Sequence, residues 1–112
     1  MLKENVLRRD CDFNTVYKYG KSTASKYLVL FYMKNRKEFT RTAFLASKKV
    51  GNSVARNRAR RLIRESYRNL SKEITENYDL IIIARNSITN AKEYDVEKSL
   101  NDCLIRAKVL TR

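Results

Sequence analysis

The spacing of apolar and polar positions divides the chain into seven elements. Residues 10–19 (DCDFNTVYKY) predict a short helix, with Asp10 as N-cap and Gly20 as the left-handed residue that ends it. Phe13 and Tyr17, four apart, share one face of that helix, while Val16 points elsewhere and can anchor it to a core. Residues 27–33 (YLVLFYM) are apolar throughout and rich in β-formers, the pattern of a strand covered on both faces. The charged KNRKE run that follows reads as a turn or loop. Residues 39–47 (FTRTAFLAS) read as a second strand, which so tight a connection pairs with the first in an antiparallel hairpin. Residues 21–25 add a short edge strand before them.

Gly51-Asn52-Ser53 marks a turn, with Asn52 or Ser53 as N-cap of a helix over 53–74. Residues 78–85 (YDLIIIAR), three consecutive isoleucines bounded by polar residues, form the clearest strand in the chain. A last helix covers roughly 91–110, where Val96, Leu100, Cys103, Ala107 and Leu110 recur at the three-to-four spacing that buries one face. The order α-β-β-β-α-β-α gives an α+β fold, a two-layer α/β sandwich. With 112 residues and no proline-rich or glycine/serine-rich linker, the chain is expected to form a single domain over residues 1–112. Helices on one face leave part of the opposite sheet face, or a cleft beside the first helix, for a ligand.

Charge changes the picture from fold to partner. The chain carries 25 Lys+Arg against 12 Asp+Glu, a net charge of +13, and such a field attracts polyanions. Nucleic acid, an anionic membrane surface and an acidic protein all satisfy that requirement, with nucleic acid favoured. The excess is local: residues 48–68 hold eight basic side chains and one acidic, whereas residues 69–112 hold seven of each. Solubility alone gives no reason for that concentration.

Placed on a helix at about 100° per residue with Arg56 at zero, Arg60, Arg64, Asn57, Arg68 and Arg61 fall within an arc of about 140°. Ala55, Ala59, Leu62, Ile63, Ser66, Tyr67 and Leu70 occupy the other side, and Arg58 stands at the edge of the basic face. Guanidinium is always charged, weakly hydrated and forked, so it suits phosphate oxygens. Like charges at i,i+4 repel unless a polyanion relieves them, and Glu65 is the only carboxylate close in sequence. Lys48, Lys49 and the helix N-terminus extend the basic patch, and Asn57 offers a polar contact to a 2′-hydroxyl, a phosphate or a base edge. Phe13, Tyr17 and Phe31 are candidates for stacking on unpaired bases, although on spacing alone a place in the core explains them as well.

Catalytic constellations are lacking. The chain has no histidine and only two glycines, and its acidic pairs Asp10/Asp12 and Glu93/Asp95/Glu97 fit helix N-termini. Cys11 and Cys103 show no metal-ligand spacing, as in a reduced protein, and neither a signal-peptide core nor a run of about 20 apolar residues is present. A cytoplasmic protein without a membrane partner or a small-molecule cofactor is expected.

The segment SKKVGNSVARNRARRLIRESYR, Ser47–Arg68, resembles the signature of the bacterial ribonuclease P protein family, centred on an arginine-asparagine-arginine element in a basic helix. RRDCDFNTVYKYG before it and YDLIIIAR after it agree in order and spacing, so the resemblance covers nearly the whole chain. It implies a strand–central helix–strand connection that is a left-handed crossover, against the general right-handed rule. It also implies an accessory subunit of a ribonucleoprotein endonuclease that removes the 5′ leader of precursor tRNA. The RNA subunit, with Mg2+ bound mainly by RNA, performs the hydrolysis, and the protein assists binding with no cofactor of its own. By position, Arg56, Asn57, Arg58, Arg60, Arg61 and Arg64 resemble the helix residues that face the catalytic RNA, and Lys48 and Lys49 the lysines before the turn. Phe13, Tyr17 and Phe31 match the aromatic cleft that contacts the single-stranded leader, with Phe31 where some members have tyrosine.

Overall fold

The computed structural model describes residues 5–110. The elements are α1 (Asp10–Tyr19), β1 (Lys21–Ala24), β2 (Leu28–Lys34), β3 (Arg41–Ala46), α2 (Ser53–Leu70), β4 (Tyr78–Ala84) and α3 (Glu93–Arg106). This is the order that the sequence predicts. Short 3-10 turns at Ser71–Glu73 and Asn86–Asn90 close α2 early and introduce α3.

The four strands form one sheet in the order β1-β2-β4-β3. Strand β2 is antiparallel to both β1 and β4, and β3 runs parallel to β4. The expected β2–β3 hairpin therefore does not form, because β4 lies between the two strands. A strand as apolar as β4, whose Leu80, Ile81 and Ile82 are fully buried, gains most from a central place with neighbours on both sides. Strand β3, with Arg41 and Thr42 at its start, is better suited to the edge. The loop from β2 to β3 passes over the start of β4 and is tied to it. Asn35 N–H donates to Asn77 O (3.1 Å), Asn77 Nδ2 to Lys37 O (2.9 Å), and Tyr78 N–H to Thr40 Oγ1 (3.2 Å).

Alternation along the strands sends side chains to two faces. On one face Leu28, Leu30, Leu80 and Ile82 pack with Ile63 and Tyr67 of α2 and Val96, Leu100, Cys103 and Leu104 of α3, which makes the sandwich. Of the predicted stripe, Val96, Leu100 and Cys103 are buried on α3, which ends at Arg106 rather than near residue 110, and Ala107 and Leu110 are buried in the turn beyond it. On the other face α1 lies across the sheet, with Val16 buried against Ile81, Ala43 and Leu7.

Two details at the ends of α1 differ from expectation. Arg9 rather than Asp10 occupies the N-cap, without a side-chain hydrogen bond, and its carbonyl accepts from Asp12 (3.0 Å) and Phe13 (3.2 Å). Asp10 is the first helical residue, where its charge still favours the helix dipole. Gly20 is extended (φ −80°, ψ −174°) rather than left-handed. What requires glycine there is close approach, since a Cβ would lie 2.5 Å from Val16 O and 2.7 Å from Tyr32 O.

Candidate nucleic-acid interface

The basic face is built by a turn and a helix. Gly51 adopts φ 147°, a region that side chains rarely enter, and the chain then reverses into α2. Asn52 caps that helix, its Oδ1 accepting from Ala55 N–H at 3.0 Å. The turn leaves Lys48 and Lys49 exposed just before the helix start. Ala59, Ile63, Ser66, Tyr67 and Leu70 of α2 are buried, so the apolar side is the one that the wheel assigns to the core. Opposite it Asn57, Arg61, Arg64 and Arg68 are exposed and Arg56 and Arg60 half-buried.

The arginines are not equivalent. Arg56 reaches back to Gly51 O (3.4 Å) and Ser53 Oγ (3.3 Å) at the helix start. Arg60 donates to Asn57 Oδ1, and Arg68 is paired with Glu65. Arg61 and Arg64 are exposed with no carboxylate partner among the described residues, which leaves both guanidinium groups available to an anion. Arg58 stands apart from this row. Its guanidinium donates to three carbonyls of the β4–α3 connection, Ile88 O (3.5 Å), Thr89 O (3.3 Å) and Ala91 O (2.8 Å). It thus fastens α2 to the start of α3, a use that helical spacing alone does not reveal.

On the opposite sheet face Phe13, Tyr17 and Phe31 come together. The Phe13 and Tyr17 rings are 6.4 Å apart, and Tyr17 meets Phe31 edge-on at 5.0 Å. Phe13 and Phe31 are half-buried against the smaller core, which fits their structural use. Tyr17 is 42% exposed, so its ring is open to a ligand, while partial burial still pushes its hydroxyl pKa up. Beside them a groove of about 340 Å3 is lined by Leu7, Phe13, Ala43, Leu45 and Arg64. Arg64 is thus common to the arginine row and the aromatic groove.

Strand residues that the sequence reading passes over hold this arrangement. Arg41 takes both oxygens of Asp79 (Nε to Oδ1 2.9 Å, Nη2 to Oδ2 2.6 Å) and reaches Asp12 of α1 at 3.3 Å. Asn35 Nδ2 adds a bond to Asp79 Oδ1 at 2.8 Å. Hydrogen bonding to Asp79 raises the Arg41 pKa further. The signal was an aspartate inside the most apolar strand, since a buried carboxylate demands a paired cation. Both carboxylates serve Arg41, and no group of three or more metal-ligating side chains occurs among the described residues.

Fold and site together define an α+β protein whose central helix presents a row of arginines that reaches a groove lined by Phe13. A family model described as Ribonuclease P matches residues 1–108. The ribonuclease P protein component of Clostridium botulinum is 48% identical over 110 residues, covering 96% of this chain and 98% of that protein. That of Clostridioides difficile is 44% identical over 104 residues, covering 92% and 91%. The structure of the Staphylococcus aureus RNase P protein superposes with a TM-score of 0.86 at 31% identity, covering 96% of this chain and 98% of that one. The chain belongs to the ribonuclease P protein family, as the protein component of an RNA-containing endoribonuclease of tRNA 5′ processing. No helix among the described residues is long and apolar enough to cross a membrane.

Proposed function

We propose that this chain grips the ribonuclease P RNA through the exposed arginines of α2 and receives the 5′ leader of precursor tRNA in the groove beside α1. The observation that carries the reading is the continuity of the two surfaces at Arg64. A strand leaving the RNA face meets first the Arg64 guanidinium and then Phe13, whose ring centre lies 6.4 Å from that of the open Tyr17. Guanidinium groups hold phosphates without regard to sequence, and an aromatic face stacks on any unpaired base. Lys48, Lys49 and the N-terminus of α2 add cations and free N–H groups at one end of the row.

In this reading the protein binds and orients while the RNA subunit performs the cleavage with its Mg2+ ions. Asp12 and Asp79 do not suit a metal, since both are held by Arg41. The protein's own contribution is to neutralise phosphates where two RNA molecules meet, a role for the cytoplasm and for no membrane surface. The deciding experiment reconstitutes the chain with a bacterial ribonuclease P RNA and measures precursor-tRNA cleavage at low magnesium. Faster cleavage than with RNA alone is expected, and equal rates would overturn the proposal.

A further inference from the structure

The sheet face that carries α2 and α3 is not covered to its end. Along β2 the residues Leu28, Leu30, Tyr32 and Lys34 share that face, and the first two are fully buried in the main core. Helix α3 ends at Arg106, and beyond it the face changes from aliphatic to aromatic and basic. Lys21 of β1 stands opposite Tyr32, and Lys34 opposite Tyr78 of β4. These four residues line a concavity of about 450 Å3 together with Tyr19 and Lys108, a size in the range of small-ligand clefts.

Tyr19 is 69% exposed, with the Lys18 ammonium 5.2 Å from its ring centre. Glu76 is the one carboxylate in the lining and is paired with Lys34 at 2.8 Å. Lys21 and Lys108 have no carboxylate partner among the described residues. Lys108 also adopts φ 62°, a left-handed conformation at the end of α3 that a glycine enters without steric cost. The helix dipole accounts for a cation there, but not for exposed Tyr19 and unpaired Lys21 around the same concavity.

We propose that this concavity is a second RNA site, which takes one unpaired nucleotide with its base on Tyr19 and Tyr32 and its phosphates on Lys21 and Lys108. Rings that stack and isolated cations that pair with phosphate suit a nucleotide, whereas an acidic peptide would use the lysines alone. None of Phe13, Tyr17 and Phe31 lines this site, so it takes a different stretch of RNA from the one in the groove. It rests only on RNA being the partner of this chain. The RNA subunit and the precursor offer the same chemistry.

Full-length protein carrying Tyr19→Ala, Lys21→Ala and Lys108→Gly distinguishes them. It is titrated against a bacterial ribonuclease P RNA, and its holoenzyme against a precursor tRNA, beside wild type and an Arg60→Ala/Arg64→Ala variant. Both replaced residues on α1 and β1 are exposed, and glycine relaxes the backbone at 108, so the melting temperature is expected to hold. Loss of one stacked base and two phosphate contacts weakens binding by about ten-fold or more. Such a loss in the first titration identifies the RNA subunit as occupant, and a loss in the second alone identifies the precursor. Wild-type binding in both titrations overturns the site, and the Arg60/Arg64 variant then shows separately whether the α2 reading stands.

Discussion

Arg41 and Asp79 stand opposite each other in the parallel β3–β4 pair, and the guanidinium holds both oxygens of a carboxylate whose side chain is 3% exposed. The same guanidinium reaches Asp12, so one side chain joins the edge strand, the central strand and α1. A buried carboxylate left without its cation is costly, by about 3–5 kcal/mol. Arg41→Ala is therefore expected to destabilise the protein by about that amount in urea unfolding. Asp12→Ala, at the more exposed and longer contact, is expected to cost about 1 kcal/mol or less.

Arg58 and Arg61 should separate in a salt titration. Arg61→Ala removes a guanidinium free for phosphate, so the log–log slope of RNA binding is expected to fall by up to about one unit. Arg58→Ala removes hydrogen bonds to three carbonyls of the β4–α3 connection and is expected to lower stability by about 1.5–3 kcal/mol with little change in slope. Equal slope changes for the two would show that Arg58 also reaches the RNA.

For the aromatic groove, Tyr17 is the informative position because its exposed ring can be removed without opening the core. Tyr17→Ala is expected to weaken holoenzyme binding of a long-leader precursor by about 1–3 kcal/mol and to leave leaderless tRNA unaffected. Equal losses for both substrates would place the ring away from the leader.

Alkaline pH acts through Tyr67. Burial against Phe44 and the main core pushes its hydroxyl up to about 12, from 10.0. The folded protein then keeps a proton that the unfolded chain releases. The stabilisation is complete below pH 10 and is lost as pH rises towards 12, at up to about 1.4 kcal/mol per unit. Tyr67→Phe should flatten the fall of stability between pH 10 and 12, measured by urea unfolding against wild type. An unchanged slope would mean that other groups carry it.

Much of the fold was legible because periodicity is local. The buried side of α3 and the apolar side of α2 follow from spacing along a helix, and residue type narrowed the cap of α2 to Asn52 or Ser53, of which the structure takes Asn52. The error over β2 and β3 has a different cause. A six-residue connection permits a hairpin, and only competition for the sheet centre shows that β4 takes the place between them. At the site, helical spacing placed Arg61 and Arg64 correctly outside. It could not show that Arg58 finds acceptors in a turn 30 residues later.

By itself the sequence determined that one side of the central helix would be basic and the other buried, because 3.6-residue periodicity settles a helix's faces before any partner is chosen. It also determined the strand segments and the family signature at Ser47–Arg68. Only the tertiary structure decided which strand stands at the centre, which arginines remain unpaired, and that Arg64 borders both the row and the aromatic groove. Those outcomes depend on contacts between residues far apart in the chain, whose geometry exists only once the sheet has closed around its core.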